Sequence, residues 1–117
     1  MRDLIFRGKR YDNGEWLVSD SIIQHPNGVA LYDEVANDII DVVPETVGQF
    51  TGLTDVNGKN IFEGDIVSIE YEYTIVYKAV VTYICAGFYG VNDNDIYDLD
   101  NYVPIKIRGN IHDGDLL

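Results

Sequence analysis

Cysteine, proline and positive charge are all scarce in this chain, and each scarcity excludes something. One cysteine, Cys85, stands among 117 residues, so no intramolecular disulfide can form, and no Cys/His cluster has the spacing of a structural zinc site. An apolar run leads up to Cys85 and no basic residue adjoins it, so a buried, inert thiol is expected there. Eight Lys and Arg face twenty Asp and Glu, a formal charge of −12. A surface so acidic repels phosphate backbones and anionic lipid, which argues against direct nucleic-acid binding and membrane adsorption. No segment approaches the ~18 apolar residues of a membrane span. The opening "MRDLIFRGKR" places Asp3 early and returns to charge at Arg7, a pattern unlike a signal peptide. A cytoplasmic protein is expected.

What is present is apolar and β-prone. Hydrophobic residues make up 46% of the chain, including nine Tyr, enough for one domain with its own core. Asn13-Gly14 predicts a hairpin joining strands near 3–8 and 15–23. Pro26 with Asn27-Gly28 marks a second turn, and "ALYDEVAND" has room for one helical turn. Pro44 ends or bends a strand. Asn57-Gly58 is a further hairpin signal, and a strand restarts after Glu63-Gly64. There Val67, Ile69, Tyr71 and Tyr73 alternate with Ser68, Glu70 and Glu72, the period of a strand with one solvated face. The β-branched run Ile75–Ile84 predicts a central strand, followed by a turn or bulge at Gly87 and Gly90. "NDNDIYDLDNY" reads as an acidic loop or short helical turn. A last strand carries Ile105, Ile107 and Ile111 on one face and Lys106, Arg108 and Asn110 on the other. Seven to nine short antiparallel strands with little helix favour a mainly β fold, a small barrel or orthogonal sandwich. One domain over 1–117 is expected, with a hairpin region near 1–45 and a barrel region near 46–117.

The stretch "ETVGQFTGLTDVNGKNIFEGDIV" closely resembles the signature of YopX-like proteins, encoded by bacteriophages and prophages of Gram-positive bacteria. "FRGKRYDNGEWLVSDSI" and "IRGNIHDGDLL" extend the resemblance over nearly the whole chain, with residues 70–103 matching least. The resemblance implies a phage-derived origin and self-association, and it brings no catalytic residues. The residues of the motif suit scaffold. Gly52, Gly58 and Gly64 fall at expected turns. Asp55 precedes the Asn57-Gly58 turn and can accept its amides, and Asp65 can do the same at the start of the next strand. An acid after Gly at such a point is also similar to SH3-like barrels.

A calcium loop counted from Asp55 meets Lys59 and Asn60 at its fifth and sixth positions, and one counted from Asp93 ends at Pro104, so both fail. Asp93, Asp95, Asp98 and Asp100 could line an irregular cation loop, although a solvated loop is the simpler reading. The acid pairs Glu70/Glu72 and Glu63/Asp65 suit a solvated face better than a glycosidase cleft. His25 and His112 adjoin no nucleophile in sequence, although a fold could assemble one. No catalytic residue, metal, cofactor or small-molecule substrate is expected.

Two interaction surfaces are expected. Arg2, Arg7, Lys9 and Arg10 supply half the positive charge within ten residues and could pair with an acidic face of another copy, giving a homo-oligomer. Asp93, Asp95, Tyr97, Asp98, Asp100 and Tyr102 combine carboxylates with Tyr, a residue suited to binding a host or phage protein. The leading reading is a non-enzymatic phage accessory protein. An acidic mimic of nucleic acid and a small carboxylate or metal-dependent hydrolase stand as alternatives.

Overall fold

A computed structural model describes residues 4–71, 75–99 and 104–114. Among them are twelve strands and two short 3₁₀ turns, a mainly β, antiparallel architecture. Backbone contacts group the chain into two compact units, Met1–Phe50 and Thr51–Leu117.

In the first unit, β1 (Phe6–Lys9) and β2 (Trp16–Ser19) form the hairpin that Asn13-Gly14 predicts. The Asn13 carboxamide accepts the Glu15 amide at 2.9 Å, fixing the turn. The expected strand 15–23 is broken. Buried Ser19 accepts the Ser21 amide at 3.0 Å and donates back to its carbonyl. This bend sends the chain into a different sheet, formed by β3 (Ile22–His25), β4 (Gly28–Asp33) and β5 (Asp38–Val42) in that order. The helical turn expected in "ALYDEVAND" is absent: its first half is β4, and its second is a tight turn in which Asp33 accepts the amides of Val35 and Ala36. A single hydrogen-bonding carboxylate here outweighs the marginal helix propensity of so short a segment. Ala30, Leu31 and Val42 are fully buried. Pro44 opens a 3₁₀ turn, Pro44–Thr46, whose Thr46 hydroxyl accepts the Lys9 amide.

The strand β6 (Gly48–Thr54) begins alongside β1. Its later residues open the second unit and pair with β7 (Asn60–Phe62). A five-stranded sheet follows, built from β8 (Asp65–Tyr71), β9 (Ile75–Ile84), β10 (Gly87–Val91), β11 (Ile96–Asp98) and β12 (Ile105–Asn110). Its order is β11-β10-β9-β8-β12, so β9 is central, as its β-branched run predicts. One face carries the core of Ile61, Val67, Ile69, Ala79, Val81 and Ile105. At Gly90 a Cβ would stand 3.0 Å from both Ala79 Cβ and Ile69 Cδ1; the glycine lets β10 lie close over that core.

Five expectations fail here for identifiable reasons. Ile66 and Ser68 are buried, so β8 is not solvated on its second face; Arg108 covers Ser68, its Nε donating to the hydroxyl at 3.0 Å. Between Ile107 and Gly109 the β12 register shifts. That bulge reverses the later alternation, burying Asn110 and leaving Ile111 exposed. The turn after β9 is not at Gly87 but at Cys85 and Ala86, both with positive φ (50° and 61°). Cys85 is therefore exposed, not buried. Finally, "NDNDIYDLDNY" contributes β11, because Val91, Gly90 and Tyr89 pair with Ile96, Tyr97 and Asp98.

Candidate functional site

The central motif is built as scaffold. Asp55, only 6% exposed, accepts the amides of Asn57 and Lys59 with Oδ1, each at 2.9 Å. Its Oδ2 accepts the amide of Ile107 at 3.1 Å, fifty-two residues away. One carboxylate thus shapes the turn and fastens it to β12, where Val56 also donates to the Ile105 carbonyl. Burial pushes the Asp55 carboxyl up, but the amides of Lys59, Ile107 and Asn57 and the charge of Lys59 together hold it below the usual range. Gly58 has φ +79° with open space around its missing Cβ; the turn needs its backbone freedom, not its small size. Asp65, 1% exposed, accepts the Phe62 amide at 2.8 Å. Gly64 donates to the Val81 carbonyl and accepts from the Ile111 amide. Gly52 departs from expectation: its φ is +89°, yet it lies inside β6, not in a turn.

The acidic segment forms a hairpin held by side-chain contacts. Asn92 accepts the amides of Asn94 and Asp95 at 2.9 Å each, and its Nδ2 donates to the Lys78 carbonyl at 2.9 Å. Tyr97 turns inward and stacks on Tyr77, ring centroids 4.8 Å apart, so it anchors the hairpin and is only partly available to a partner. Asp93, Asp95, Ile96 and Asp98 are exposed. Asp100 and Tyr102 lie outside the described residues.

The basic N-terminal segment is largely occupied within its own unit. Arg7 sits 4.5 Å and Lys9 5.5 Å from the centre of the Trp16 ring, a double cation–π arrangement across the β1–β2 pair. Arg10 pairs with Asp12 at 2.7 Å, and that hydrogen bond, helped by the Arg10 charge and opposed by desolvation, holds the Asp12 carboxyl below its ordinary range. Arg2 lies outside the described residues.

The fold does bring an acid to a histidine. His25 Nε2 lies 3.1 Å from Asp41 Oδ1, while Nδ1 accepts the Asn27 amide at 3.2 Å. In the neutral ring this places the proton on Nε2, directed at Asp41, and leaves no free lone pair to deprotonate a nucleophile. Among the described residues no three His, Cys, Asp or Glu side chains converge as a metal would require. Of the acid pairs, Asp65 is committed to a backbone amide, Glu70 lines a shallow cleft, and Glu72 lies outside the described residues. Among the described residues no helix is long and apolar enough to cross a membrane.

The first unit holds an open groove of 360 Å³, with Ile5, Val18 and Val35 beside Asp20, Asp33 and Glu34. The second holds a cleft of 120 Å³, where Ser68, Glu70 and Val76 meet Pro104, Lys106 and Arg108. Lys106 and Arg108 meet at this cleft from one face of β12, as the alternation of the last strand predicts; that this face borders Ser68 follows from the β8–β12 register, which has no sequence signature. Searches of the curated proteins and of the solved structures return no match. A family model described as "YopX protein" matches residues 5–117, and the chain belongs to that family.

Proposed function

We propose that this chain is a non-enzymatic accessory protein of phage or prophage origin that works in the bacterial cytoplasm by binding protein, another copy of itself included. The observation that carries the reading is the β10–β11 hairpin. It is pinned from behind by the Tyr77–Tyr97 stack and by Asn92, and in front it displays Asp93, Asp95 and Asp98 around exposed Ile96. A display held in this way loses little conformational entropy on binding. The motif residues support the same reading, since Asp55 and Asp65 are spent on backbone amides. So does His25, whose two nitrogens are both engaged.

Light scattering between about 50 mM and about 500 mM salt tests it, as the Debye length falls from ~14 to ~4 Å. The expected result is a mass above the 13.2 kDa of one chain that falls as salt rises. The mass of one chain at every salt concentration removes self-association from the reading.

A further inference from the structure

The strand registers of the second unit gather positive charge around one serine. Ser68 on β8 pairs with Lys78 on β9 and with Lys106 on β12, so these three side chains share one cross-strand row. Arg108 reaches the same point, its Nε donating to the Ser68 hydroxyl at 3.0 Å. Three of the four cations beyond the N-terminal segment thus surround Ser68, in a chain of charge −12. Among the described residues no carboxylate forms an ion pair with any of the three. Lys106 and Arg108 line the 120 Å³ cleft with Ser68 and Glu70, and Val56 and Val76 supply its apolar walls. These two valines are 58% and 56% exposed. The central motif holds Val56 in place: its amide donates to the Ile105 carbonyl at 2.9 Å, while Asp55 accepts the Ile107 amide.

Ser68 separates this cleft from an ordinary basic patch. It is only 6% exposed, yet it lines the cleft. Its oxygen accepts from Arg108, and its own hydroxyl proton meets no acceptor among the described residues. A buried hydroxyl with a proton to give calls for an acceptor. We propose that the cleft binds a carboxylate borne on a short apolar group, as a free small acid or a peptide C-terminus presents it. The carboxylate takes the Ser68 hydroxyl, the Lys106 ammonium and the terminal nitrogens of Arg108, whose planar fork suits two oxygens. The apolar portion lies against Val56 and Val76. Space limits the ligand: 120 Å³ equals about four water molecules at ~30 Å³ each, enough for a carboxylate and a few carbons. Glu70 limits its charge, because it repels a phosphate dianion more strongly than a carboxylate. No residue of the β10–β11 hairpin lines the cleft, so this site stands apart from the protein-binding reading above.

An NMR titration of the full-length protein, at fixed pH and ionic strength, tests the site through backbone amide shifts. Sodium propionate is the small-acid probe, with propionamide and inorganic phosphate as controls. An alanine peptide with a free C-terminus, set against the same peptide amidated, probes the second source. Propionate is expected to give saturable shifts at residues 68–70, 76 and 104–108, with the first unit unmoved; propionamide should give none, and phosphate should bind more weakly. Ser68→Ala is expected to weaken propionate about tenfold, and Lys106→Gln with Arg108→Gln to abolish saturation, while each variant's spectrum shows that it folds. Glu70→Gln should tighten phosphate and narrow its disadvantage. Tighter binding of the free-ended peptide than of propionate, lost on amidation, assigns the site to peptide termini; binding of propionate alone assigns it to free acids. No saturable shift with either probe, or equal affinity in wild type and the Lys106/Arg108 variant, overturns the site. Phosphate binding more tightly than propionate overturns the carboxylate assignment, and an unchanged affinity in Ser68→Ala overturns the role of the hydroxyl.

Discussion

Two turns in the second unit are built by the same device and put to opposite ends. In the turn after β6, Asp55 Oδ1 accepts the amides two and four residues on; in the turn after β10, Asn92 Oδ1 accepts the amides two and three residues on. Each capping side chain then uses its second polar atom to reach a strand, Asp55 Oδ2 to Ile107 and Asn92 Nδ2 to Lys78. The first turn draws its acid into the protein, while the second is capped by a neutral amide and leaves its acids outside. An acid beside a turn is therefore structural when it is the cap, and available when another residue caps.

The sharpest way to break this comparison is to remove the first cap. Asp55→Ala removes the buried acceptor of three partly buried backbone amides and is expected to cost about 3 kcal/mol in chemical denaturation. Asp55→Asn keeps one acceptor oxygen and should cost less. The carboxyl is held low in the folded state and titrates near its ordinary ~3.9 when unfolded. Its contribution is thus complete above about pH 4 and lost as pH falls through the lower folded value. Wild type should weaken over that range more steeply than Asp55→Asn; parallel acid limbs for the two would contradict the capping role.

Gly58→Val comes next. Nothing lies within 4 Å of the added Cβ, so the cost is backbone strain alone, about 2 kcal/mol for a β-branched residue at positive φ. Thermal or urea denaturation measures it. An undiminished stability would mean that the turn rearranges at no cost.

Which parts of this fold are legible in the sequence follows from the same chemistry. The turns at Asn13-Gly14 and Asn57-Gly58 and the β-branched centre of β9 announce themselves, because residue type and required conformation agree. The turn at Cys85-Ala86 does not: both residues adopt positive φ without the Gly or Asn that would signal it, and tertiary pairing of Ile84 with Gly87 overrides local preference. The β12 bulge is silent too, and through it the burial of Asn110 and the exposure of Ile111, although alternation alone sets Lys106 and Arg108 on one face. Arg7 and Lys9 are plain as charges, but their union over Trp16 needs the β1–β2 register. Asp55 is legible as a turn acid, whereas its bond to Ile107 is a long-range fact.

Removal of the second cap should matter less. Asn92→Ala frees the amides of Asn94 and Asp95 in an exposed turn where water replaces the lost acceptor, so about 1 kcal/mol is expected. Hydrogen exchange should report the loss as faster exchange at residues 92–95, with β8 and β9 unaffected. A loss as large as that of Asp55→Ala would erase the distinction between the two turns.

The smallest effect on the fold belongs to the displayed acids. Asp93→Asn with Asp98→Asn changes exposed groups, and exposed substitutions of this kind stay within about 0.5 kcal/mol. Like charges removed from one hairpin can even raise stability slightly. The comparison requires that these substitutions leave urea denaturation nearly unchanged while lowering the salt dependence of association, so that stability and binding separate. Asp55→Ala should do the reverse. If neutralising Asp93 and Asp98 unfolds the β10–β11 hairpin instead, those acids are structural, and the hairpin belongs with the motif as scaffold.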